Sequence, residues 1–188
     1  MSEHEHGGSV VKMVRPGVGS LDRARLLVEN LLRTHGLDPE RHLLSEGEDS
    51  CSWFFGAGAP PGEKGRPENT LLVMSVFMAR GMGYFRVSAP IVFLPSEERL
   101  TAFYRRLLDL NSEMVSAALA TFRKEVHVVS VRPVQDLDGS EVEDIIRSVT
   151  GWANMLKESL PGEFGARPWD LAGGPGRRDD EAGDEPVE

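Results

Sequence analysis

His127, Cys51 and the carboxylates of Asp136, Asp138 and Glu141 are the side chains that would first be asked to do chemistry, as a general base, a thiolate nucleophile and a cation cage. Each meets a plainer reading. His127 interrupts Val126-His127-Val128, so in a strand it points away from both valines and reads as a surface or hydrogen-bonded imidazole. Cys51 has no histidine or basic residue beside it to draw off its proton. In Asp136-Leu137-Asp138-Gly139 the glycine comes fourth, whereas an EF-hand loop needs it sixth, and Asp138 or Ser140 suits the start of a helix.

Two other motifs fall short in the same way. His4 and His6 flank Glu5, but two imidazoles are fewer than the three or four ligands of a preformed metal centre. Gly17-Val18-Gly19-Ser20 precedes a helical pattern as a phosphate-binding turn would. Asp22 then stands where a dinucleotide fingerprint needs its third glycine, and no Gly-Lys-Ser/Thr is present. No catalytic set, metal site or cofactor is expected, and the chain does not read as an enzyme.

The elements that would carry these residues follow from periodicity. Ser20 can cap a helix running to about His35, with Leu21, Ala24, Leu27, Val28 and Leu31 on one face and Gly36 as its stop. Residues 37–49 read as a polar loop. Cys51 to Phe55 then reads as a short strand with Trp53 and Phe55 on one side and Phe54 on the other. The Gly- and Pro-rich stretch from Gly56 to Asn69 reads as a linker. Leu71 to Ala79 and Tyr84 to Leu94 are the most apolar runs. Gly81-Met82-Gly83 between them predicts an antiparallel hairpin at the middle of the sheet.

Ser96, Glu97 and Glu98 start a helix in which Leu100, Phe103, Tyr104, Leu107, Leu108 and Asn111 share a face. Val115 to Phe122 and Val126 to Val131 predict a second hairpin, joined by Arg123 to Glu125 and ended by Pro133. Ser140 and Glu143 match a capping box, followed by the apolar face Val142, Ile145, Ile146, Val149, Ala153, Leu156 and Leu160. Pro161-Gly162 is expected to break that helix, while Phe164 and Trp169 can dock back on the body.

At 188 residues and 40% hydrophobic content the chain suits one domain with a real core. The expected division is a leader over 1–19, the domain over 20–160 and a Gly-, Pro- and acid-rich tail over 161–188. No apolar run long enough to span a membrane and no secretory h-region occur, and the single cysteine agrees with a reducing compartment, so a cytoplasmic location is expected. Residues 177–188 set two arginines against six acids, which places −4 of the chain's −9 charge at one end. An acidic body of this kind disfavours general binding to phosphate backbones.

Three stretches carry a family resemblance: Phe103-Tyr104-Arg105-Arg106-Leu107-Leu108-Asp109-Leu110-Asn111; Val126 to Pro133 with Val134-Gln135-Asp136-Leu137-Asp138 after it; and Glu141 to Ile146 on through Trp152-Ala153-Asn154. With the order helix, three strands, helix, two strands, helix, they resemble the YbjN-type branch of the type III secretion chaperone-like fold over roughly residues 20–160. The resemblance implies an α+β protein with one antiparallel sheet of about five strands packed by helices, often dimeric, that binds a segment of a partner protein without catalysis. On that basis Leu100, Phe103, Tyr104, Leu107, Val115, Ala117 and Leu119 are the expected partner or dimer contacts, through strand addition or helix packing. The alternative is a regulator that binds nucleic acid or a small effector through Arg99, Arg105, Arg106 and Arg123.

Overall fold

The alternation of the two most apolar runs decides the centre of the molecule. In the computed structural model, which describes residues 18–57 and 70–170, they form β3 (Thr70–Ala79) and β4 (Met82–Phe93), paired antiparallel from Val73↔Ser88 to Ala79↔Met82. Arg80 and Gly81 make the turn, both at positive φ, which matches the twist of a two-residue hairpin. The turn is therefore one residue earlier than Gly81-Met82-Gly83. Gly83 serves a different end: a Cβ there would meet Val134 Cγ2 at 2.7 Å, so the second glycine allows close packing.

Around this hairpin lie α1 (Val18–Thr34), β1 (Leu43–Gly47), β2 (Ser50–Ala57), α2 (Glu97–Glu113), β5 (Ala118–Phe122), β6 (Glu125–Pro133) and α3 (Gly139–Phe164). All strands pair antiparallel in one sheet, order β1-β2-β3-β4-β6-β5. The sheet has six strands. The additional one, β1, lies in the polar stretch read as a loop, because Leu43-Leu44-Ser45-Glu46-Gly47 has no apolar alternation and is held by pairing with β2. The fold is α+β, as the sequence implies.

Alternation places Cys51, Trp53, Phe55, Leu72, Met74, Val76, Phe85, Val87, Ala89, Leu119, Val126 and Val128 on one buried face, with Phe54 left outside. Leu21, Ala24, Val28, Leu31 and Leu32 of α1 and Val142, Val149, Ala153, Leu156 and Leu160 of α3 close over it. Each large side chain so buried contributes roughly 1.5–3 kcal/mol. Thr70, itself buried, donates its hydroxyl to Asn154 Oδ1 and ties β3 to α3.

The start and end of α3 differ from the sequence reading. Asp138, in extended backbone, is the N-cap: Glu141 N–H donates to Asp138 Oδ1 at 2.9 Å and Asp138 N–H to Glu141 Oε2 at 3.1 Å. Ser140 instead donates its hydroxyl to Asp138 at 2.7 Å. Both Asp138-x-x-Glu141 and Ser140-x-x-Glu143 fit the pattern, and the earlier pair closes the box. At the other end the helix runs through Pro161 to Phe164. Burial of Leu160 and the edge-on contact of Phe164 with Phe103 offset the missing donor. Gly165 then stops it in the left-handed conformation, its N–H on Pro161 O at 2.8 Å. The helix thus passes the boundary expected at 160. Phe164 and Trp169 do dock back, Trp169 N–H donating to Ile91 O at 3.0 Å. The His4/His6 pair, most of the Gly56–Asn69 stretch and the tail beyond Asp170 lie outside the described residues.

Candidate functional site

The expected contact residues gather where α2 meets β5, and the structure sorts them by face. Phe103, Leu107 and Leu119 are buried and belong to the chain's own core, because α2 turns that side onto the sheet end and onto Phe164. Leu100 and Ala117 are half-buried. Tyr104 and Val115 are exposed, Val115 at 74%. Leu108, one helical turn after Tyr104, shares the apolar spacing of the buried face but is 69% exposed and stands with the outer group. Phe122, at the far end of β5, is also open.

β5 is the edge strand, and Asn111 controls that edge. Leu119 N–H donates to Asn111 Oδ1 at 2.6 Å, and Asn111 Nδ2 donates to Leu119 O at 3.3 Å. The side chain of α2 thus takes the two backbone groups that an added strand would use at Leu119. Of the two contact modes, helix packing is unobstructed and strand addition on β5 meets this seal. The sequence hint was an amide among apolar positions at the Leu110-Asn111 end of the helix.

Past Val129 the strand β6 has no β5 beside it, since Ser116 turns the chain away at positive φ. A groove of about 690 Å³ opens there, lined by Ser116, Ala117, Ala118, Val131, Glu141 and Ile145 among others. A smaller recess of about 300 Å³ lies between α1, β2 and α3, with His35 on a wall otherwise made largely of Leu31, Leu32, Leu37, Phe55, Met74 and Ile146.

Of the residues singled out for chemistry, Glu141 lines the larger groove and His127 lies edge-on to Phe122, but they do not converge with Cys51 or with each other. His127 sits on the open sheet face, its Nε2 3.1 Å from Glu125 Oε2 and its Nδ1 3.4 Å from Ser88 Oγ. Burial lowers its pKa below the ordinary imidazole value, against the pull of Glu125, which raises it. The serine contact is long for a hydroxyl, and Ser88 lies mid-strand between β3 and β6, where backbone N–H groups are committed to ladders. The row has its close contact within β6, between His127 and Glu125, and only a long one to Ser88 of β4. Cys51 is buried under α1, and burial pushes its thiol up, which suits an inert side chain. Asp138 caps α3 and Glu141 joins Arg132 in an ion pair. Among the described residues no group of three His, Cys, Asp or Glu is placed to hold a metal, and no helix is long and apolar enough to cross a membrane.

Of the four arginines of the alternative reading, Arg106 pairs with Glu163 at 3.2 Å, Arg123 lies over the Phe122 ring and the Arg99 guanidinium lies against Gly165. These three face different neighbours.

No protein-family model matches the chain, and no curated protein does. Among solved structures it is similar to a chain of the crystal structure of the ExsC–ExsE complex, with a TM-score of 0.52 at 12% identity over 75% of this chain and 96% of that one. It is also similar to a chain of the HopA1–SchA chaperone–effector complex, with a TM-score of 0.47 at 11% identity over 77% of this chain and 100% of that one. At 12% identity the first likeness speaks to fold alone, and it agrees with the α+β architecture of one antiparallel sheet packed by helices that the family resemblance implies.

Proposed function

We propose that this chain is a non-enzymatic protein-binding module of the YbjN type, chaperone-like or regulatory, that holds a segment of a partner protein and works as a cytoplasmic homodimer. The observation that carries the reading is the apolar group Tyr104, Leu108 and Val115, left exposed along α2 and just beyond its end, beside a sheet edge with no charged side chain in its strand. Exposed aromatic and aliphatic anchors beside a rigid helix are what a protein contact needs. The fold shared with a chain solved in a complex, ExsC–ExsE, supports the same direction. A buried free thiol suits a reducing compartment.

Sedimentation of the wild type and of Leu108→Asp tests the dimer, with wild type expected as dimer and the variant as monomer of unchanged melting temperature. A photo-crosslinking residue at Tyr104, activated in the native cell, tests the partner. Wild type that stays monomeric from low to high micromolar, with no adduct at position 104, overturns the proposal.

A further inference from the structure

The last described residues show how the body takes up an extended segment. β3 pairs with β4 only as far as Val73↔Ser88, while β4 continues to Phe93, so the ladder to β3 does not reach the last residues of β4. After the left-handed turn at Gly165 the chain comes back along that vacant edge. Phe93 N–H donates to Arg167 O at 2.9 Å, Trp169 N–H donates to Ile91 O at 3.0 Å, and Pro168 sits opposite Val92. This is the non-hydrogen-bonded pair of an antiparallel ladder, the position where a proline loses nothing by having no N–H. The Arg167 guanidinium lies 3.8 Å from the centroid of Phe93, and Ala166 is buried.

One feature of this segment fits poorly. Trp169 Nε1 is buried with no partner among the described residues, whereas a buried indole N–H ordinarily finds an acceptor. Two backbone bonds, the ring contact and the burial of Ala166 hold the segment, while its Trp169 Nε1 has no acceptor among the described residues.

We infer that the edge of β4 at Ile91–Phe93 is a strand-addition site for a partner's extended segment, with Arg167-Pro168-Trp169 as its resident stand-in. The occupant it fits carries a basic residue to lie over Phe93, a residue at the bridge position that need not donate, and an aromatic residue without a buried N–H. This rests on the proposed function and deepens it by placing the held segment at the end of β4, next to the start of α2, whose Arg99 lies against Gly165.

The test uses the full-length chain and a labelled peptide of its own residues Gly165–Asp170, read by fluorescence anisotropy. In Arg167→Ala/Trp169→Ala the resident segment is loosened, and the peptide is expected to bind at least tenfold more tightly than to wild type. Trp169→Phe removes the unsatisfied donor, so it is expected to raise the melting temperature and weaken peptide binding below the wild-type level. Equal peptide binding by wild type and double variant overturns the inference. So does a double variant that fails to fold, or a Trp169→Phe chain that melts below wild type, since each makes the segment a fixed part of the core. The probe is the chain's own sequence, so a monomeric protein with no adduct at Tyr104 defeats the proposed function without touching this result.

Discussion

The two edges of the sheet are guarded by opposite means. β1 is polar and exposed along most of its length, is bulged between Leu43 and Ser45, and carries Glu46, which with Glu29 grips Arg25 of α1. Charge and a bulge keep other strands from pairing there. β5 has no charged residue, is five residues long, and is sealed at Leu119 by one amide from α2. The first edge is guarded by charge and irregular backbone. The second is shut against strands while its apolar neighbours stay open, which is the arrangement of a surface meant for a chosen contact.

The sharpest way to break that distinction is to separate the two sides of α2. Phe103→Ala empties a fully buried site against Phe164 and is expected to cost about 3–5 kcal/mol. Tyr104→Ala, the next residue, is expected to stay within about 0.5 kcal/mol in urea unfolding while weakening self-association. Comparable losses of stability from both would mean that the outer face is packed rather than available.

Next in size is the seal. Asn111→Ala strands the N–H and C=O of Leu119 and is expected to cost about 1–3 kcal/mol. It would also bare an uncharged edge, so thioflavin binding should grow with concentration in the variant and not in wild type. Asn111→Asp keeps the acceptor for Leu119 N–H and loses the donor, and should fall between the two. An Asn111→Ala chain as stable as wild type would remove Asn111 from the account.

Those residues also show where sequence reading works and where it stops. The central hairpin was legible because β3 and β4 are apolar enough for burial to dictate pairing, and alternation alone set Phe54 opposite Trp53 and Phe55, though not which side faces out. β1 was not legible, because its strand character comes from the neighbour it pairs with and from an ion pair 21 residues away in sequence. The split of α2 into core and contact residues was half legible. Leu100, Phe103, Tyr104, Leu107 and Leu108 all satisfy helical spacing, and only the position of β5 and Phe164 decides which of them are covered. The capping box was found in kind and misplaced by two residues because two overlapping patterns competed.

His127 joins the open faces of β4 and β6 between the two edges, and its titration gives a smaller, signed effect. Its folded pKa is lowered by burial, so the unfolded chain binds the proton more readily. The stability it contributes is complete above the unfolded value near 6.5 and is lost as pH falls from there through the folded value. Urea midpoints of wild type and His127→Gln should therefore converge or cross on acidification below pH 6.5, with parallel behaviour above it. A difference that widens only above pH 6.5 would reverse the sign and place a charged imidazole in the native state.

The smallest effect belongs to the β1 edge itself. Glu46→Gln removes one arm of the Arg25 bridge, but both side chains are more than a third exposed and Glu29 keeps its hold on Arg25 at 2.9 Å, so water screening leaves at most about 1 kcal/mol. High salt should shrink it further. If charge is what guards this edge, however, the variant need lose little stability to lose its protection: Glu46→Val should begin to self-associate at concentrations where Glu46→Gln does not, because only the valine is both uncharged and fitted to a strand. Equal solubility of the two would assign the guarding to the bulge at Leu43–Ser45 and leave the charge as an incidental anchor for α1.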